Sequence, residues 1–203
     1  MAVQVKPPDL RTIEVPIVGI SALIVHKWSK KAKEMMLARQ QKKVVQRQPK
    51  DPQQDYEESM YLFPDGRHGF PATGFKAALV QSCRMIDGIH MTQAKVAIYI
   101  FGDPSTESQL VEIFGEPEMR EDMVRLEKGV ADIRYRAAYY PWTALLKVRY
   151  NAHMLSDEMV VNMVEYAGQS GIGEWRPSAP KVASGQFGMF QVDRSKKIKA
   201  NKN

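Results

Sequence analysis

Histidine, cysteine and clustered carboxylates are the side chains that bind metals and move protons, and in this chain they do not gather. Four histidines (His26, His68, His90, His153) and one cysteine (Cys83) are scattered, without the spacing of a zinc site. The repeated acidic clusters of a two-metal nuclease are absent, and so is a GxSxG nucleophile turn. The stretch GIGEWRPSAPK lacks the GK[ST] ending of a Walker loop. One small grouping remains: Asp65, Arg67 and His68 share a turn, where a histidine could act as general base of a metal-free nuclease. The plainer role for a lone turn histidine is a surface or binding contact. Cys83 falls among apolar neighbours at helical spacing and reads as core. With one cysteine there is no intrachain disulfide, and the chain reads as cytoplasmic. The sequence thus predicts no metal, no cofactor and no catalytic residue.

What does gather is positive charge. Residues 27–47 hold eight Lys or Arg against one acid, Glu34, and residues 194–203 hold five against none. The remainder carries 16 basic and 22 acidic residues, so a net charge of +6 conceals an acidic body with two basic segments. That division suits contact with a polyanion, although a charge run is also the ordinary makeup of a solvated face. The second concentration is of glycine. Gly168, Gly171, Gly173, Gly185 and Gly188 crowd the stretch AGQSGIGEWRPSAPKVASGQFGMFQV. Two readings stay open there: backbone N–H groups forming an anion-binding nest, or a helix cap and turn that merely need glycine geometry.

The elements that would position these residues follow from periodicity. No apolar run approaches a membrane span, and the N-terminus lacks a signal-peptide pattern. Residues 1–10 read as a loose lead-in. Arg11–His26 reads as a strand, with Pro16 and Gly19 pushing its first half to a sheet edge or a bulge. Ser29 caps a basic helix with a thin apolar stripe, and PKDPQQDYEES follows as a polar linker, so residues 28–58 read as a projecting insertion. Thr73–Asp87 is an amphipathic helix capped by Thr73 and stopped by Gly88. Lys95–Phe101 and Leu110–Phe114 alternate like strands, and Glu116–Glu127 is irregular. Ala131–Tyr139 and Thr143–Tyr150 read as a long antiparallel hairpin turning at YPW. Ser156–Gly168 is a second amphipathic helix, Gly185–Val192 a last strand, and residues 194–203 a disordered basic tail.

Strand, helix, two strands, helix, strand is the ferredoxin-like order, an α+β fold with two helices on one face of an antiparallel sheet. In that topology four groups converge around the other, open face. They are the start of the basic arm (His26, Lys27, Trp28, Lys30, Lys31 and Lys33), the turn and helix start (Arg67, His68, Lys76), the hairpin arginines (Arg134, Arg136, Arg149), and Trp175 with Arg176 in the glycine loop. Arg134 and Arg136 alternate along their strand and project from one face. Cations that track a backbone, mixed with rings that stack on bases, are what a single strand of nucleic acid requires.

VGISALIVHKWS, GFPATGFKAALVQSCR and GIGEWRP followed by GQFG together resemble the RAMP superfamily, the RRM-derived backbone subunits of CRISPR effector complexes. The same combination is similar to small phage-encoded proteins associated with recombination and replication. The likeness spans most of residues 11–192 and implies an RRM/RAMP-type domain over 11–193. It implies phosphate contact by Lys76 and the residues before it, and a groove lined by the Gly171–Gly188 loop. Ala72-Thr73-Gly74 departs from the usual small-hydroxyl pair at the helix start. No catalytic residue carries over. The leading expectation is a non-enzymatic, largely sequence-independent binder of single-stranded nucleic acid, DNA on the phage likeness, assembling side by side as a homo-oligomer with a recombinase or other replication protein as a further partner. The rivals are a CRISPR-related RNA-binding subunit, a metal-independent nuclease using His68, and a protein-binding structural or inhibitory factor.

Overall fold

The computed structural model describes residues 7–43, 49–125, 131–180 and 184–202. Ile and Val at alternate positions draw Leu10–Gly19 into strand β1, followed by the short β2 (Leu23–Ile24). Helices α1 (Lys30–Gln40) and α2 (Pro52–Glu58) come next, then β3 (Tyr61–Leu62) and β4 (His68–Pro71). The chain continues with α3 (Ala72–Ser82), α4 (Met91–Ala97), β5 (Ile98–Ile100), β6 (Leu110–Phe114) and β7 (Pro117–Arg125). It ends with β8 (Ala131–Tyr139), β9 (Thr143–Asn151), α5 (Asp157–Ser170), β10 (Phe190–Val192) and β11 (Lys199–Lys202).

The main sheet runs β10-β1-β9-β6-β4-β3, with β5 also on β9 and β11 also on β1. Its centre is the ferredoxin-like arrangement, with α3 and α5 side by side on one face. Alternation along β9 builds the core: Ala144, Leu146, Val148 and Tyr150 are buried toward the helices, and Leu145 and Lys147 between them are exposed. The helices answer with Phe75 and Leu79 of α3 and with Val160, Met163, Val164 and Ala167 of α5, the i, i+3, i+4, i+7 stripe of an amphipathic helix. Each such fully buried large side chain contributes about 1.5–3 kcal/mol. Ser156 caps α5 by accepting from the Met159 N–H at 3.2 Å.

A second sheet, β2-β8-β7, stands apart from the first. Here several expectations fail. The hairpin expected between Ala131–Tyr139 and Thr143–Tyr150 does not form. The chain turns at Tyr140–Pro141 (a cis peptide) and passes from one sheet to the other, so β8 pairs with β7 over nine residues while β9 pairs with β1. The long hairpin is therefore β7–β8, and the stretch read as irregular, Glu116–Glu127, supplies one of its strands. β1 is central, not an edge. Pro16 is tolerated because its carbonyl, which accepts from the Asp193 N–H at 2.9 Å, and so also its nitrogen, face the gap between β10 and β11, where no ladder donor is needed.

The polar linker contains α2: Asp51 accepts from the N–H groups of Gln53 and Gln54, Pro52 occupies the first turn, and the helix packs on β8. The first three residues of Lys95–Phe101 are the end of α4, and only Ile98–Ile100 is strand. α3 begins at Ala72 without a side-chain cap, so Thr73 is not its cap, and it stops at Ser82. The basic tail is not structureless, since β11 pairs with Arg11–Glu14 of β1. Of the lead-in, residues 1–6 lie outside the described residues, Asp9 accepts from the Ala152 N–H at 2.7 Å, and Leu10 already belongs to β1. Among the described residues no helix is long and apolar enough to cross a membrane.

Candidate nucleic-acid interface

The glycine loop forms one wall of a groove. It leaves α5 at Gly171 and is drawn against β2 by backbone hydrogen bonds from Glu174 to Ile24 (2.9 Å) and from Gly188 to Ala22 (2.8 Å). So close an approach leaves no room for side chains: a Cβ on Gly173 would sit 2.4 Å from the Ile24 oxygen, and one on Gly188 only 1.8 Å from the Ile172 oxygen. Both glycines also take positive φ, 76° and 66°. The N–H groups of Gly171, Ile172, Glu174, Phe187 and Gly188 all donate to backbone carbonyls. Those five donors are spent on α5, on the loop itself and on the β2 segment, and none of them is left for an anion nest.

Opposite the loop, α3 offers the small residues Gly74, Ala77 and Ala78 together with Gln81, and between the two lies a cavity of about 240 Å³. His26 stands at its end and also lines a second cavity of about 290 Å³, bounded by Lys27, Trp28, Arg134 and α2. The two cavities share His26 as a wall, and together they make one candidate track. Trp28 is 55% exposed and its ring contacts no other ring or cation among the described residues. His26 reaches solvent, yet lost hydration on its other sides holds its imidazolium below the ordinary value. Glu174 opposes that shift, while Arg134 and Arg136 add to it. Acids also line the track: Asp132 holds Lys50 at 2.6 Å, and Asp55 and Glu58 face the second cavity.

The expected convergence is thus partial. His26, Lys27, Trp28 and Arg134 meet at one cavity, and Arg176 joins His26 at the other, its guanidinium donating to the Gly173 carbonyl at 2.8 Å. Lys30 and Lys31 open α1, but their side chains lie outside the described residues. Lys33 reaches Glu107 at 3.8 Å.

Arg136 is a correction. It is fully buried, bonded to Asp122 at 2.6 Å and Glu174 at 3.3 Å, with its guanidinium 4.8 Å from the centre of the Trp175 ring. The glycine loop covers this end of β8, so neither Arg136 nor the ring face of Trp175 that it occupies is free for a ligand. Arg67 is held by Asp65 (2.8 Å) and Glu112 (2.6 Å), outside both cavities. His68 Nδ1 is engaged by the Tyr139 hydroxyl at 2.9 Å, and burial pushes the Tyr139 hydroxyl well above the usual phenol range. Lys76 lines a separate cleft between α3 and α4, and the first N–H of α3 is taken by the Gln109 carbonyl at 3.0 Å.

Arg149 lies elsewhere again, on the open face of the main sheet. There it covers Tyr99 at 4.9 Å and Phe101 at 5.6 Å, and Lys147 covers Phe101 at 5.5 Å. Tyr99, Phe101 and Lys147 were not expected at any interface. The available signal was the alternation of β9, which puts Lys147 and Arg149 on one side, but the strand pairing that brings Tyr99 opposite Arg149 is long-range.

No family model and no curated protein sequence matches the chain. By structure it is similar to a chain of the Type III-B Cmr-beta complex bound to cognate target RNA, with 10% sequence identity and a TM-score of 0.52 over 96% of this chain and 61% of that one. The protein has a RAMP-like fold. It spans about three-fifths of that neighbour's length. A second likeness, to Cmr6 from Pyrococcus furiosus, covers 90% of this chain and 98% of that one at 12% identity and a TM-score of 0.42. At such low identity the RAMP-like likeness is one of fold alone.

Proposed function

We propose that this chain is a non-enzymatic, RAMP-type subunit that binds single-stranded nucleic acid, RNA in preference to DNA, along the track from the glycine loop past His26 to Trp28. The observation that carries the reading is Trp28: a largely exposed indole, free of partners among the described residues, beside His26, Lys27 and Arg134 on the wall of a cavity. A stacking ring with cations on either side is the minimal platform for an unpaired strand. RNA is favoured because the neighbour that shares the fold belongs to an assembly bound to cognate target RNA. The phage, recombination and recombinase-partner parts of the earlier expectation have no support from either likeness and are dropped. Side-by-side assembly with further copies or other subunits remains part of the proposal, since a groove this short holds only a few nucleotides of a longer strand.

The rival nuclease reading is weakened by His68, whose Nδ1 is tied to Tyr139 and which lines neither cavity. The test is an electrophoretic shift with labelled single-stranded RNA, single-stranded DNA and duplex. Wild type should shift the RNA most strongly and leave it uncut. Trp28→Ala with Lys27→Glu should weaken binding by roughly 10- to 100-fold, a stacking contact being worth about 1–3 kcal/mol. Unchanged binding by that double variant, or a preference for duplex, would remove the reading.

A further inference from the structure

The two cavities of the track differ in what they can hold, and the smaller is ill suited to phosphate. Its wall carries the Glu174 carboxylate, and the one guanidinium that lines it, on Arg176, is turned onto the Gly173 carbonyl. A phosphate there would meet a carboxylate already bonded to the buried Arg136 at 3.3 Å, and the lining guanidinium of Arg176 is engaged as well. Its shape suits a flat ring instead. Gly74, Ala77 and Ala78 leave one side without projecting side chains, and Tyr61 and Phe70, packed edge to face at 6.0 Å, add apolar surface. At about 240 Å³ the space is below the roughly 300–1,000 Å³ of drug-sized pockets and has room for one heterocycle. Around it, the Tyr61 hydroxyl, the Gln81 amide, the Ser178 hydroxyl and the His26 ring make no hydrogen bond to any described residue. Polar groups lining a partly enclosed slot without protein partners are disposed to bond a ligand or water.

We infer that this cavity is a single-base pocket, in which one nucleobase of the bound strand leaves the stack and lies between α3 and the glycine loop. The inference rests on the groove reading above and narrows it, because a base in this pocket is read by its edge. Arg136 bonds the Glu174 Oε2, which leaves Oε1 as an acceptor only, and that oxygen prefers an edge that donates. Cytosine, adenine and guanine present an exocyclic amino group. Uracil presents a single N–H flanked by two carbonyl oxygens that face the carboxylate unfavourably. The pocket therefore selects an amino-bearing base at one position, while the rest of the strand is held without regard to sequence.

Fluorescence anisotropy at fixed salt with labelled oligo(C) and oligo(U) tests this. Wild type should bind oligo(C) at least about fivefold more tightly. Ala77→Leu, which fills the slot from an exposed helix position, should abolish the difference between the two oligomers. Gln81→Leu, at the same rim, should narrow the difference and decides the matter if Ala77→Leu does not fold. Equal affinities in wild type, or a preference that survives both variants, overturns the base pocket and leaves the groove standing. Failure of either oligomer to bind overturns both. Free CMP competing as effectively as the oligomer, nucleotide for nucleotide, overturns the in-strand assignment and makes the cavity a free-nucleotide site.

Discussion

Two arginine-over-ring clusters occupy this molecule, and they are built from nearly the same parts. In the inner one, Arg120 and Arg136 cover Trp175 and Phe187, with centroid distances of 4.7 to 5.5 Å. In the outer one, on the open sheet face, Arg149 and Lys147 cover Tyr99 and Phe101 at 4.9 to 5.6 Å. The difference is in the acids. Asp122, itself buried, bonds both inner arginines, and Glu174 takes a further bond from Arg136. The outer cations have no carboxylate within ion-pair distance among the described residues. Cation and ring in the inner cluster hold the glycine loop onto β8, while the same chemistry in the outer cluster faces water. Residue type alone does not separate scaffold from surface. Charge compensation and backbone cover do.

Three measurements would break or sharpen that contrast. The largest effect belongs to the inner cluster. Asp122→Ala strips a fully buried guanidinium of its closest partner, and loss of one member of a buried pair costs about 3–5 kcal/mol. Tyr99→Ala in the outer cluster should cost no more than about 1 kcal/mol, as most surface changes do. Denaturant titration of both variants compares them, and equal losses would mean that the outer cluster is scaffold too.

A second, intermediate effect concerns the groove. Burial depresses the His26 pKa in the free protein, and a phosphate backbone nearby favours the protonated ring. Binding therefore takes up a proton, and affinity should rise as pH falls from 8 through the ordinary imidazole value near 6.5 and below, by about tenfold for each unit the pKa is raised on binding. For folding the sign is the reverse: the neutral imidazole contributes its stability above pH 6.5, and that contribution is lost as pH falls through the depressed value. A His26→Ala variant with an undiminished pH slope of binding would take the strand away from this junction. The smallest effect is expected from Lys147→Glu with Arg149→Glu. If the strand keeps to the groove, which neither residue lines, these charges should be largely screened in about 0.15 M salt, and affinity should change less than about threefold. A loss matching that of Trp28→Ala would move the strand to the open face.

The elements written in local periodicity were legible from the chain. α5 follows from Val160, Met163, Val164 and Ala167 with Ser156 as cap, and the strand character of β1, β6, β8 and β9 follows from alternation, because each pattern depends on one element meeting one core. The ferredoxin-like order follows from those elements in sequence. What periodicity could not convey is partnership. β8 and β9 are adjacent strands with a tight turn between them, the usual recipe for a hairpin, yet they belong to different sheets: β7, rich in charge, pairs with β8 over nine residues, and its Asp122 takes the bond from Arg136. α2 escaped notice because a seven-residue helix with no buried residue has no apolar stripe to betray it.

At the site the division is the same. Composition alone set a basic arm against an acidic body and marked His26, Lys27, Trp28 and Arg134 as groups able to hold a strand, since charge and ring are properties of a residue by itself. Which of two arginines on one face of β8 is available was decided only by the fold. The glycine loop closes over Arg136 and stops short of Arg134, and burial is a property of what lies across the gap, not of the residue or its neighbours in the chain.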